Sequence, residues 1–340
     1  MPEHGGDSTE MERLYGRPND GWLDLSTGIN PKPYPVKDLS SDKWGALPSS
    51  KDITRLCDAA AHHYGAHDAS LVMPAPGTQS LIQSLPRIRQ ASRVCVMSPT
   101  YNEHAHNWRM AGHDVLEIND LSEVSSHTDV IIVVNPNNPD GRRLDPEHLK
   151  SLAQGQAAKG GWLIVDEAFC DVTPELSLAG SAGAAGLIIL RSFGKFFGLA
   201  GLRLGFALAD TTITGQLSNF LGPWSVSTPA LHIGAQALCN DHWTNRTRQA
   251  LQESANRMDQ LLGHAGYTVT GGTSLFRLVS GDNAATLFGN LARNGILTRR
   301  FDYDVQWLRV GIPGRETDWK RFDDALGTPA FKAVGSPFAA

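Results

Sequence analysis

Lys195 stands in the segment Ser192-Phe193-Gly194-Lys195-Phe196-Phe197-Gly198-Leu199-Ala200-Gly201-Leu202-Arg203-Leu204-Gly205-Phe206. A lysine thus sits in a glycine-rich loop directly after an apolar run, with a hydroxyl three residues before it and an arginine eight residues after it. A lysine kept from water can be held in the unprotonated form that attacks aldehydes, the requirement for a Schiff-base nucleophile. Residues 162–171 read W-L-I-V-D-E-A-F-C-D, an apolar strand ending in Asp166, and open α/β sheets take their ligands at the carboxyl ends of strands. Residues 75–79, A-P-G-T-Q, follow another apolar run and open a helix. The backbone N–H groups there, with the Thr78 hydroxyl, suit an anion, because unsatisfied donors and helix dipole both favour negative charge. Residues 133–142, V-V-N-P-N-N-P-D-G-R, run from a strand into a tight Asn, Pro and Gly turn. Arg309 lies in the short apolar run W-L-R-V-G, where an unpaired guanidinium is costly and an anionic partner is required.

These residues need a scaffold that brings strand ends together. Between residues 69 and 208 short apolar runs alternate with amphipathic stretches, the pattern of a mostly parallel sheet covered by helices on both faces. Strands are predicted over 70–73, 93–97, 115–118, 130–134, 162–165, 187–190 and 203–207, and helices over 78–89, 103–111 and 146–159, with Asp145 as N-cap and Pro146 in the first turn. Residues 1–48, rich in Gly, Pro and Asn, are predicted to form only loops or short extended pieces, and 52–64 a helix. A long helix is predicted from about 229 to 264, then short strands near Val269, Phe276, Ile296 and Trp307 with helices over 284–293 and 316–326. The expected organisation is an N-terminal segment (1–48) joining a small domain and the active site, a large domain (49–228), and a connecting helix with a small C-terminal α/β domain (229–340).

Composition narrows the function classes. With 30 Lys+Arg against 35 Asp+Glu in 340 residues the net charge is −5, which argues against nucleic acid or an anionic membrane as partner. An apolar share of 41% with 19% charged residues is globular rather than disordered. Cys57, Cys95, Cys170 and Cys239 are widely spaced and form no CxxC pair, so neither a metal site nor a disulfide framework is expected. The N-terminus is polar and acidic and the longest apolar runs are far too short to span a bilayer, which points to a cytoplasmic protein.

The lysine segment resembles the cofactor-lysine motif of the fold-type I pyridoxal 5′-phosphate enzymes, S-x-x-K-x-x-G-L-A-G-x-R-x-G, in a long gapless match. The resemblance extends over about 24–326 and implies the α/β fold of that family, with a small C-terminal α/β domain, and pyridoxal 5′-phosphate as cofactor. It implies that Lys195 carries the cofactor and that Asp166 pairs with the pyridinium nitrogen, keeping the ring an electron sink. It further gives Asn138 a hydrogen bond to the ring's phenolic oxygen, and Tyr101, in S-P-T-Y-N-E-H, a stacking role on the ring. Gly77, Thr78, Gln79, Ser192 and Arg203 become the cofactor-phosphate cradle. Arg309, and Arg299 with Arg300 beside it as a competing candidate, become the holders of the substrate carboxylate. Phe169 stands where many relatives, histidinol-phosphate aminotransferases among them, have a tyrosine.

The family's core motifs do not choose the reaction, since the protein selects which bond is aligned for cleavage. The N-terminus speaks to that choice. His4-Gly5-Gly6 followed by L-D-L-S-T-G-I-N-P (23–31) resembles the opening of the cobalamin-pathway threonine-phosphate decarboxylases. The resemblance implies decarboxylation of L-threonine O-3-phosphate, with His4, Gly5, Gly6 and Asn30 around the substrate phosphate, where an imidazole and unobstructed amides suit an anion. The rival expectation is an aminotransferase of the histidinol-phosphate type. A homodimer is expected, although the family's cross-subunit Tyr-Pro reads Leu47-Pro48 here.

Overall fold

A computed structural model describes residues 5–327; His4, expected at the substrate phosphate, lies outside the described residues. The chain clusters into two compact units, one made of Ile29–Gln252 with Gly272–Leu275, the other of the described residues up to Gly28 with Glu253–Gly271 and those from Phe276 onward.

The N-terminal stretch corrects the expectation of loops and extended pieces alone. It contains helix α1 (Thr9–Tyr15), strand β1 (Leu23–Asp24) and helix α2 (Ser41–Gly45). Helices this short are marginal by themselves and persist where one face is packed. Met11 of α1 does this, entering the apolar cluster that also contains Leu287, Leu291 and Phe322.

From α3 (Ser50–Tyr64) onward the first unit is an α/β sandwich. Ser49 caps α3 by accepting from the Asp52 N–H, and Gly65 ends it in the left-handed region. There follow β2 (Val72–Ala75), α4 (Thr78–Ser84), β3 (Arg93–Met97), α5 (Glu103–Met110), β4 (Asp114–Ile118), β5 (Val130–Val134), α6 (Pro146–Ala157), β6 (Trp162–Asp166), β7 (Leu187–Ser192), α7 (Phe193–Phe196) and β8 (Gly205–Leu208). The strands form one sheet in the order β2-β8-β7-β6-β5-β3-β4, parallel except for β8, which runs antiparallel to both neighbours. Buried on both faces, β5, β6 and β7 are near-continuous Val, Ile and Leu. Helix α4 is shorter than predicted because Pro86 turns its end into a 3₁₀ segment.

Helix α8 (Thr211–Leu221) is rich in Thr, Ser, Asn and Gly; Asp210 caps it, its carboxylate accepting from the Thr212 and Ile213 N–H groups, and Ile213 and Leu217 are buried one turn apart. The single helix predicted from 229 is two, α9 (Thr228–Leu238) and α10 (Asp241–His264). Asn240 separates them, its Oδ1 accepting from the Trp243 N–H as a fresh cap.

The second unit holds most of β9 (Thr268–Thr273), with β10 (Phe276–Ser280), α11 (Ala284–Arg293), β11 (Ile296–Leu297), β12 (Arg299–Phe301), β13 (Asp304–Gly311) and α12 (Glu316–Leu326). Its sheet runs β12-β13-β10-β9, and β1 pairs in parallel with β11. Leu308 and Val310 of β13 point into an apolar cluster with Leu287, Leu291, Trp319 and Phe322 of α11 and α12.

Candidate active site

The reversed strand β8 gathers the chemistry. Ser192 of β7 is paired with Gly205 of β8, and Gly205 is paired with Ala75 of β2, so the three residues form one row across the sheet. The segments leaving this row carry Lys195 after β7, Arg203 before β8, and Gly77, Thr78 and Gln79 after β2. One strand further, Asp166 at the end of β6 lies in register with Leu190 of β7 and Val134 of β5, the strand that leads into Asn138. A row of strand ends set by hydrogen-bond register therefore assembles residues 120 positions apart in sequence.

Arg203 is one of two non-glycine residues with positive φ (51°) among the described residues, in the left-handed region where side chains are strained. Its Nη1 donates to the Ala200 carbonyl at 3.0 Å. A Cβ added to Gly77 would stand 2.7 Å from Arg203 Nη2. Gly77 itself has φ +81°, a conformation L side chains rarely adopt, so glycine is favoured there and the guanidinium end packs against the turn that opens α4. The Thr78 hydroxyl lies 3.4 Å from the Arg191 carbonyl, tying this turn to the strand that ends in Ser192.

Asp166 is buried, and it is not alone. His104 Nε2 lies 2.9 Å from Asp166 Oδ2, and the Ala168 N–H donates to Oδ1 at 2.9 Å. The histidine is as buried as the aspartate. Sequence reasoning missed His104, although its position in the first turn of α5, three residues after Tyr101, was a usable signal. Tyr101 itself donates to Gln79 Oε1 at 3.2 Å, Gln79 Nε2 donates to Glu103 at 2.6 Å, and Asn107 Nδ2 donates to the same carboxylate at 2.9 Å. This chain fixes Gln79's amide and aims the Tyr101 hydroxyl proton at it.

In the turn after β5, Asn135 and Asn137 are structural. Asn135 exchanges hydrogen bonds with the Leu144 backbone, while Asn137 accepts from the Thr100 hydroxyl and donates to the Pro99 carbonyl and Asp140. Asn138 is half-buried beside them. Lys195 lies in α7 with its Nζ 5.7 Å from the centre of the buried Phe169 ring, so the phenylalanine in the tyrosine's place does border the lysine. Asn30, expected at the substrate phosphate, is buried with its Nδ2 donating to the Phe196 carbonyl at 2.9 Å and its Oδ1 accepting from the Lys32 N–H at 2.9 Å.

Strand alternation sends the neighbours of Asp166 and Ser192 to the other side, where they form a buried ionic cluster. Arg191 donates to Glu167 at 2.7 Å and contacts Asp171 at 3.1 Å, with His63 Nε2 3.2 Å from the same Asp171 oxygen. Burial works to raise the Asp171 carboxyl, but the Arg191 charge and His63 outweigh it and hold the group below its ordinary value.

In the second unit, Arg309 Nη2 donates to the Ser26 carbonyl at 2.6 Å, and the Gly6 N–H donates to Ser26 Oγ at 2.7 Å. The Gly5-Gly6 turn and Arg309 therefore meet at Ser26. Arg299 is paired with Arg309 across β12 and β13, whereas Arg300, on the opposite face, lies with its guanidinium 4.4 Å from the centre of the Phe288 ring. Among the described residues no group of three or more His, Cys, Asp or Glu gathers as metal ligands, and no helix is long and apolar enough to cross a membrane.

The first unit's residues fit a pyridoxal-phosphate group: a lysine beside an aromatic ring, a buried carboxylate, a tyrosine with a fixed hydroxyl, and a close-packed turn with an arginine laid against it. Residues 23–322 match the model of the aminotransferase class I and II family. The chain is 46% identical over 329 residues to a threonine-phosphate decarboxylase of Pseudomonas aeruginosa, covering 96% of this chain and 97% of the relative. It is 44% identical over 325 residues to another from a Sinorhizobium species, covering 95% and 97%. Its fold also matches that of a histidinol-phosphate aminotransferase from Sinorhizobium meliloti solved in complex with pyridoxal-5′-phosphate, with a TM-score of 0.78 and 19% identity over 96% of this chain and 94% of that one. A lysine, an aspartate and an arginine at the ends of adjacent strands, on a sheet and sequence matched across nearly the whole chain, make this protein a member of the aminotransferase class I and II family.

Proposed function

We propose that the chain is a pyridoxal-phosphate-dependent carboxy-lyase that converts L-threonine O-3-phosphate to (R)-1-amino-2-propanol phosphate, a step in cobalamin biosynthesis. The observation that carries the reading is the 46% identity to a threonine-phosphate decarboxylase over 96% of the chain. Bound pyridoxal phosphate supplies a protonated conjugated ring that withdraws the electron pair left on the α-carbon when carbon dioxide departs. The chain's own residues do the rest. Lys195 would hold the cofactor, and its Nζ, once free, would donate a proton to the substrate α-carbon. Asp166, oriented by His104, holds the proton on the ring nitrogen. Gly77, Thr78, Gln79, Ser192 and Arg203 take the cofactor phosphate, Tyr101 covers the ring, Asn138 addresses its phenolic oxygen, and Phe169 borders it without donating. Arg309 and Arg299 take the substrate carboxylate, and His4, Gly5 and Gly6 its phosphate.

The same reading places the enzyme in the cytoplasm as a homodimer. The first unit exposes Trp44, Leu47, Phe220 and Trp224, each about half exposed or more, large apolar side chains that a second copy could cover. Purified chain supplied with pyridoxal phosphate and threonine phosphate is expected to release one carbon dioxide per amine formed. Amino transfer that depends on an added keto acid, with no carbon dioxide, would instead make it an aminotransferase.

A further inference from the structure

The four-residue helix α7 is too short to satisfy its own carbonyls, since every C-terminal C=O of a helix lacks an internal partner over the last turn. Three successive carbonyls after the helix's midpoint are met by one distant stretch, the first of them shared with a longer bond from the Gly198 N–H at 3.3 Å. The Asn30 N–H donates to the Lys195 carbonyl at 2.9 Å, Asn30 Nδ2 donates to the Phe196 carbonyl at 2.9 Å, and the Tyr34 N–H donates to the Phe197 carbonyl at 2.8 Å. Asn30 is itself held, because its Oδ1 accepts from the Lys32 N–H at 2.9 Å and its side chain is buried. Gly198 makes the approach possible: at φ +68°, a Cβ there would stand 2.7 Å from the Asn30 carbonyl oxygen and 2.7 Å from Pro33 Cα. All of this lies within the first unit.

We infer that Asn30 is a positioning residue for Lys195, and that residues 30–34 act as a cap supplied from elsewhere in the chain to fix the peptide on which the lysine turns. A reactive amine on a single helical turn would otherwise sample several backbone states, and misplacement of a reacting group by about 1 Å costs on the order of a hundredfold in rate. Among the described residues the side-chain amide's partners, the Phe196 carbonyl and the Lys32 N–H, are both backbone groups, so its contribution is to geometry at the lysine. This assigns Asn30 a role different from contact with the substrate phosphate, and it rests on the proposed cofactor role of Lys195.

The test uses the full chain freed of cofactor, with pyridoxal phosphate itself as probe. Capture is followed by the visible absorbance that appears when Lys195 Nζ bonds the aldehyde carbon and water leaves. Asn30→Asp keeps the acceptor to Lys32, removes the donor to Phe196 and adds a negative charge beside that carbonyl. It is expected to slow capture about tenfold, the effect of one buried hydrogen bond lost with its acceptor left unsatisfied. Asn30→Ala is expected to do the same without a new charge, and Asn30→Gln to recover part of the rate. With threonine phosphate, kcat should fall and KM should change by less than about threefold, since ground-state binding is untouched. Hydrogen exchange on the wild-type chain gives an independent reading, in which the Asn30 and Tyr34 amides should be protected. Capture at wild-type speed in the Asn30 variants with a raised KM, or unprotected amides, overturns the inference and returns Asn30 to the substrate. If wild type and Lys195→Ala alike fail to capture the cofactor, the functional reading itself has failed.

Discussion

Arg299 and Arg309 stand directly opposite one another across the antiparallel pair β12–β13, so both side chains leave the sheet on the same face. Like charges directly opposite are unfavourable, and a carboxylate between two such guanidiniums converts that repulsion into attraction. The register sets Arg299, not Arg300, opposite Arg309, while Arg300 pairs with Leu308 on the core face and lies over Phe288. Arg299→Ala and Arg309→Ala are therefore expected to raise KM for threonine phosphate about 30-fold or more, in keeping with the 2–5 kcal/mol typical of a buried charge pair. Arg300→Ala should leave KM within about threefold, as steady-state kinetics on the three variants will show. Equal effects at 299 and 300 would remove the carboxylate assignment.

His104 should behave as part of the cofactor site. A hydrogen bond to a charged group contributes about 1.5–3 kcal/mol, so His104→Ala is expected to weaken pyridoxal-phosphate retention about 10- to 100-fold. Equilibrium dialysis of the holoenzyme measures this directly. Unchanged retention would mean that Asp166 holds its orientation through the Ala168 N–H alone.

The buried cluster behind Asp166 and Ser192 makes a pH-dependent contribution to stability. Asp171 is held below its ordinary value of 3.8, so the pairing is present in full above that pH and is lost as pH falls below it, when the carboxyl takes up a proton. Asp171→Asn leaves Arg191 short of one partner and is expected to cost roughly 3–5 kcal/mol at pH 7, as for other broken buried pairs. Urea unfolding of wild type and variant across pH 7 to 3 should show the gap narrowing only at the acid end.

Thiol reactivity should separate the cysteines by burial. Cys57, Cys95 and Cys170 are buried and Cys239 is exposed, all four unbridged. Burial, aided by the nearby Asp58 charge, pushes the Cys57 thiol up to about 11, and only the thiolate reacts. Titration with a disulfide reagent at pH 8 is expected to find one accessible thiol in the native chain and four after denaturation.

Much of this was legible in the sequence because it is local. The apolar runs of β5, β6 and β7 had to be buried strands, Asp145-Pro146 had to open a helix, and the S-x-x-K-x-x-G-L-A-G-x-R-x-G spacing marked the lysine and its arginine without any partner residue being known. Where local signals were weak, packing decided instead: α1 exists because Met11 is buried by residues nearly 300 positions away, and α8, rich in poor helix formers, because Ile213 and Leu217 are buried in the apolar cluster against the large sheet.

What the sequence by itself determined was the chemistry available, a lysine, an aspartate and an arginine each fixed to the end of a particular run. What only the tertiary structure decided was which groups touch. That His104 serves Asp166, that Arg299 rather than Arg300 faces Arg309, and that Asn30 caps the lysine's turn are matters of strand register and of contacts between residues up to 166 positions apart. A hydrogen bond acts over about 3 Å and is indifferent to sequence distance, so no local pattern encodes its partner.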